Sequence, residues 1–97
     1  MIIFEWDDGK NYANLIKHGV RFEAAAHVFS DPQRMERPDA DSEGEERWQT
    51  MGFFGDVLFV VYTERGEAIR IISARPAEPF ERRIYHGDSE VHGWRRV

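Results

Sequence analysis

The chain contains no cysteine. Disulfide stapling and thiolate chemistry are thereby excluded, and a reducing cytoplasm is the expected compartment. It has no apolar run near the roughly 18 residues that a membrane-spanning helix needs, so no membrane association is expected. The first residues, Met1-Ile2-Ile3-Phe4-Glu5-Trp6, lack the basic start and long apolar stretch of a secretion signal. The four histidines, His18, His27, His86 and His92, show no zinc-like spacing. No Asp-rich calcium loop, glycine-rich phosphate loop or Gly-x-Ser-x-Gly elbow is present. The expectation is a protein with no metal and no cofactor. There are no internal repeats and no low-complexity segments.

Ninety-seven residues, 41% of them hydrophobic, suffice for one modest core and no second one. The net charge of -5 is unevenly spread. Residues 1–61 carry a balance of -6, and residues 62–97 a balance of +1. The acidic excess peaks at Glu36–Glu46, which is expected to be largely a solvated loop. Phosphate binders are usually basic, so the overall sign counts against a nucleic-acid partner. The local arginines at Arg65, Arg70, Arg75, Arg82 and Arg83 count for one.

Residues 2–6 suggest a strand. Asp7 or Asp8 can cap a helix over residues 8–18, with Tyr12, Leu15 and Ile16 on one face and Gly19 at its end. A second helix is expected over residues 22–29, stopped by Asp31-Pro32. Residues 33–46 suggest a ragged edge strand and a loop, and residues 47–53 a further strand. Val57–Tyr62 and Ala68–Arg75 are the clearest strands, joined through Thr63–Glu67 as a hairpin. Both are apolar on both faces, which suits covered central strands. Glu78-Pro79 opens a last helix to about Tyr85, and the remainder suggests a frayed tail in which Trp94 could dock. The element order is that of an α+β domain in two layers: two N-terminal helices and a C-terminal helix on a mainly antiparallel sheet.

Two constellations could carry chemistry. Lys17-His18-Gly19 offers a general acid or base in His18 and a phosphate contact in Lys17. The competing explanation is stabilisation of a helix C-terminus by cations and a glycine cap. The second constellation is the arginine set. Strict alternation along residues 68–75 puts Arg70 on the face opposite Arg75, unless a bulge intervenes. Arg75 at the strand end could converge with Arg82 and Tyr85, which are i and i+3 on one helix face. Planar guanidinium forks there would suit a phosphate. The competing explanation is ion pairing with Glu64, Glu78 and Glu81.

Phe4-Glu5-Trp6-Asp7, Asn14, Lys17-His18-Gly19-Val20-Arg21-Phe22 and Asp31-Pro32 resemble the N-terminal half of BrnT toxins. Gly44-Glu45-Glu46-Arg47, Gly52, Leu58–Arg75 and Glu81-Arg82 resemble the C-terminal half. The resemblance spans about residues 3–86 and implies a toxin domain over 1–86 followed by a tail over 87–97. It implies a RelE-like fold and the toxin of a type II toxin–antitoxin pair, a metal-independent endoribonuclease that blocks translation. The implied partners are an RNA substrate and a DNA-binding BrnA-type antitoxin, with operator DNA reached only through that antitoxin. Metal-free RNA cleavage needs a base for the 2′-hydroxyl, cations for the phosphorane and an acid for the leaving oxygen. On that reading the catalytic group is His18, Glu64, Arg75, Arg82 and Tyr85, with Lys17, Arg47 and Arg65 holding the RNA. The chain departs from the resemblance at Pro76-Ala77-Glu78-Pro79-Phe80, where such toxins are usually more basic. This keeps open a catalytically weak or inactive antitoxin-binding and operon-regulating module. A small domain binding an anionic metabolite is the third reading.

Overall fold

The computed structural model describes residues 1–87 and 90–97. Six strands form one mixed sheet in the order β1-β5-β4-β3-β2-β6. They are β1 (Ile3–Glu5), β2 (Met35–Pro38), β3 (Trp48–Phe54), β4 (Asp56–Arg65), β5 (Ala68–Pro76) and β6 (Arg95–Arg96). Three α-helices join them: α1 (Asp8–His18), α2 (Phe22–His27) and α3 (Pro79–His86). The architecture is α+β, as the sequence implies. β1 pairs parallel to β5, and every other pair is antiparallel.

Local chemistry explains the helix ends. The Asp7 carboxylate accepts the Lys10 N–H at 2.8 Å and caps α1. Gly19 stops it at φ +73°, and its N–H bonds Leu15 O at 2.8 Å. α2 has no cap from its own Arg21; Asn11 reaches across from α1, and its side-chain oxygen accepts the Phe22 N–H at 2.8 Å. The apolar stretch expected as one helix over 22–29 divides into α2 and a 3₁₀ turn, Val28–Ser30. Glu78 and Glu81 form a reciprocal capping box at the start of α3, with Pro79 in the first turn.

The sheet has an apolar cluster on each face. On one face Leu58, Val60, Tyr62, Ile71 and Ala74 meet Phe22, Ala25, Val28 and Phe29. On the other, Met35, Met51, Val57 and Phe59 meet Ala77, Tyr85 and Trp94. Coverage on both sides is why β4 is apolar at successive positions. The 3₁₀ turn rests directly on Gly52, where an added Cβ would lie 2.7 Å from the Val28 Cβ.

Two expectations are corrected. The hairpin between β4 and β5 is tighter than Thr63–Glu67, because both strands run on to a turn at Gly66-Glu67. The segment after His86 is not frayed where it is described. Trp94 is 1% exposed, and Arg95–Arg96 adds an edge strand against β2, with Met35 opposite Arg96 and Glu36 opposite Arg95. Residues 88 and 89 of the expected tail lie outside the described residues.

Candidate active site

β5 carries a register shift that the sequence pattern hides. Tyr62 pairs with Ile71 and Val61 with Ser73, so Ile72 is an extra residue on β5. Side-chain parity inverts there. Ile71 and Ala74, three apart, both enter the cluster that α2 and the 3₁₀ turn cover. Arg70, Ser73 and Arg75 lie opposite Thr63, Val61 and Phe59. All three therefore project from the face that α3 covers. The expectation that Arg70 faces away from Arg75 is overturned by this bulge.

That face is only partly covered. α3 and Trp94 occupy the end near Val57 and Phe59. Beyond them the half-buried Gln49, Val61, Ser73 and Arg70 continue the floor. Arg47 adjoins β3 on the same side by alternation, and its buried Nε has no hydrogen-bond partner among the described residues. From Phe59 to Thr63 the floor runs about 13 Å at the usual strand rise. Arg75 sits at one end, Arg70 and Arg47 at the other. Arg70 is held 3.5 Å from Glu5 on neighbouring β1.

Arg75 is fixed from several sides. Its guanidinium lies 4.2 Å over the Phe59 ring centroid. Nη1 and Nη2 donate to the two Glu81 oxygens at 2.8 and 2.9 Å, and Nη1 also reaches Pro76 O at 3.2 Å. The preceding residue, Ala74, is locked by Asn14. The Asn14 amide donates to Ala74 O at 2.7 Å and to Val20 O at 2.9 Å, and its oxygen accepts Ala74 N–H at 3.2 Å. β1 pairs with β5 only at residues 68–70, so the outer edge of β5 at Ala74 lacks a strand neighbour. Asn14 satisfies that edge.

Glu81 is buried with these bonds. Burial alone would raise its carboxyl pKa, but the bonds from Arg75 and from Glu78 N–H, with the Arg75 charge, outweigh burial and hold it below the usual range. Arg75 is raised, chiefly by the same bond to Glu81. Arg82 makes a two-pronged pair with Asp56 at the start of β4. That bond, more than any other cause, lowers the Asp56 carboxyl.

Tyr85 is buried, and its hydroxyl donates to Asp31 just past the 3₁₀ turn. Burial, then the Asp31 bond, push the phenol pKa up to about 12. The hydroxyl is thus committed to a structural contact and not offered to the open floor.

The expected site residues separate into two groups. Lys17 and His18 end α1, and the adjacent Gly19 lines a pocket of about 370 Å³ with Asp56 and Pro76. This brings the α1 terminus to the same end of the sheet as Arg82 and Arg75. Glu64 and Arg65 sit at the opposite end of β4, about 27 Å along the strand from Asp56. Arg65 there pairs with Glu45 at 3.2 Å. Glu64 lies opposite Ile69, on the helix face rather than the arginine face. The structure does not bring Glu64 together with Arg75 and Arg82. Arg37, absent from the expectation, stacks 4.6 Å from the Trp94 ring and bonds Gln49 at 2.7 Å. The signal for the bulge was the run Ile71-Ile72, two adjacent apolar residues within one strand. The carboxylate partners Asp31 and Asp56 left no signal, because those pairs are distant in sequence.

Among the described residues no group of three or more His, Asp or Glu side chains could hold a metal ion. No described helix is long and apolar enough to cross a membrane.

Comparison with known proteins bears on the family and the fold. A comparison with curated proteins gives no match. The crystal structure of the Brucella abortus ribonuclease toxin BrnT is similar at 26% sequence identity and a TM-score of 0.60, covering 80% of this chain and 97% of that one. The family described as "Ribonuclease toxin, BrnT, of type II toxin-antitoxin system" matches residues 6–81, a span that includes Asn14, the bulged strand, Arg75 and Glu81. The chain belongs to the BrnT family of ribonuclease toxins of type II toxin–antitoxin systems.

Proposed function

We propose that this chain is a metal-independent endoribonuclease of RelE-like fold. It would act in the cytoplasm to block translation and be neutralised by a DNA-binding BrnA-type antitoxin. One observation carries this reading. In an acidic chain, Arg70 and Arg75 share the partly open face of the sheet, and Arg75 is held rigidly at one end of it. Rigid, oriented cations suit the developing charge of a phosphorane better than mobile ones.

The scissile phosphate sits between Arg75 and Arg82. Glu81 takes one N–H each from Nη1 and Nη2 of Arg75, leaving Nε–H and the second Nη2–H for a phosphate. Arg82, held through both Nη atoms by Asp56, presents its Nε edge likewise. The RNA backbone then follows the floor toward Arg70 and Arg47. His18, with Lys17 beside it, is the acid–base group at this end of the sheet. It takes the 2′-hydroxyl proton as oxygen attacks phosphorus, or returns one to the departing 5′-oxygen. Tyr85 anchors α3 instead of touching RNA, and Glu64 and Arg65 belong to the surface at the far end.

The purified protein is expected to cleave RNA in the presence of EDTA. Arg75→Ala and Arg82→Ala should each lower the rate by about 10²-fold or more. Full activity of the double variant would overturn the assignment. A second reading rests on a specific observation: Arg75, Arg82 and Tyr85 each already hold a carboxylate, Glu81, Asp56 and Asp31. Under it the chain only binds antitoxin and regulates its operon. Expression without the antitoxin separates the two, since growth arrest with RNA decay occurs only under the first.

A further inference from the structure

The family match ends at residue 81, yet the chain continues into a segment that packs on the arginine face of the sheet. Trp94 is 1% exposed, and its ring meets Phe59 edge to face, centroids 5.9 Å apart at 77°. The Phe59 ring in turn carries the Arg75 guanidinium at 4.2 Å. Trp94, Phe59 and Arg75 therefore form one continuous stack. Arg96 braces the neighbouring helix. Its guanidinium donates to the main-chain oxygens of Tyr85, Gly87 and Gln33, and lies 5.4 Å from the Tyr85 ring centroid. It thereby bridges the C-terminal end of α3 to the segment before β2, where Tyr85 also bonds Asp31. Arg37 closes the arrangement by stacking on Trp94 and donating to His92 O at 2.8 Å.

We propose that Trp94 and Arg96 are positioning residues for RNA cleavage. Trp94 acts through Phe59 on Arg75, and Arg96 acts through Tyr85 on the helix that carries Glu81 and Arg82. The inference rests on the ribonuclease reading and extends its site beyond the family-matched span. Two effects lead from this packing to rate. An aromatic ring held from behind cannot tilt, so the cation on its face keeps one orientation. A helix tied at both ends keeps Arg82 aligned with Arg75, and small misalignments of charge-stabilising groups are costly in the transition state. Binding of RNA along the floor depends less on this alignment, so the effect belongs on turnover rather than affinity.

The test uses the full chain and a single-stranded RNA oligonucleotide, with Trp94→Phe, Arg96→Lys and Arg75→Ala compared by kcat, KM and melting temperature. Trp94→Phe keeps an aromatic filler and Arg96→Lys keeps the charge, so folding survives in both. Each is expected to lower kcat by about tenfold at nearly unchanged KM. The Arg75 Nε–H resonance should shift in Trp94→Phe, reporting the stack without any reference to activity. Wild-type kcat in both variants beside an inactive Arg75→Ala would overturn this inference alone. Wild-type activity of Arg75→Ala would overturn the placement of the phosphate site and this inference with it.

Discussion

Glu81 shows what a single residue contributes here. Its carboxylate caps α3 by accepting the Glu78 N–H at 2.7 Å, and the same group clamps Arg75. One side chain thus begins a helix and aims a cation on the strand before it. With Gln in its place, the amide nitrogen would turn a donor toward the donors of Arg75. Glu81→Gln is expected to cost about 2 kcal/mol, the range for losing charge-assisted bonds at a part-buried pair. Urea unfolding checks this, and an unchanged midpoint would show that the pair contributes nothing to folding. At this scale the sequence made part of the site legible. Arg75, Arg82 and Glu81 lie within a few residues of a strand-to-helix corner, so proximity alone brings them close. Asp56 and Asp31 were not legible as partners, because their pairing depends on which strand ends meet α3.

At the scale of elements, the strands and helices followed from periodicity, turns and caps. Facing did not, and β5 shows why. Alternation assigns faces only while one residue opposes one residue. The bulge at Ile72 breaks that rule midway, so Arg70 and Arg75, five apart, share a face. The strand β6 was illegible for another reason. Two residues of Arg-Arg carry no strand signal, and only the edge of β2 and the buried Trp94 give them a place. The 3₁₀ turn crosses β3 in close contact at Gly52. Gly52→Ala would place a Cβ 2.8 Å from Val28 O, a backbone atom that cannot rotate away. The variant should lose about 2 kcal/mol by overpacking, measured by thermal melting. Wild-type stability would mean that the turn lifts freely from the sheet.

The whole molecule is held by carboxylates that must stay ionised. Glu81, Asp31 and Asp56 all have pKa values below their ordinary ones of 4.5, 3.8 and 3.8. For Asp31, burial pushes upward, but the Tyr85 hydroxyl and the N–H groups of Gln33 and Phe53 more than offset it. A lowered folded-state pKa means that the unfolded chain binds protons first as pH falls. Stability is therefore full above about pH 4.5 and declines as pH drops through and below that value. The melting temperature should be flat from neutrality to about pH 5 and fall steeply toward pH 3. Asp31→Asn and Glu81→Gln should each start lower and show a shallower fall. A fall no shallower in either variant would exclude these groups as the source.

The parallel pairing of β1 with β5 has a consequence for the order of assembly. Ile3 sits beside Ala68, so the first strand of the chain has no place in the sheet until the fifth exists. Strand pairing across so long a separation closes a large loop and is slow compared with hairpins such as β4–β5. During synthesis the opening residues, with exposed Ile2 and Ile3, must wait while most of the chain is made. Synthesis thus runs through the fifth of six strands before the sheet that carries these arginines can be completed.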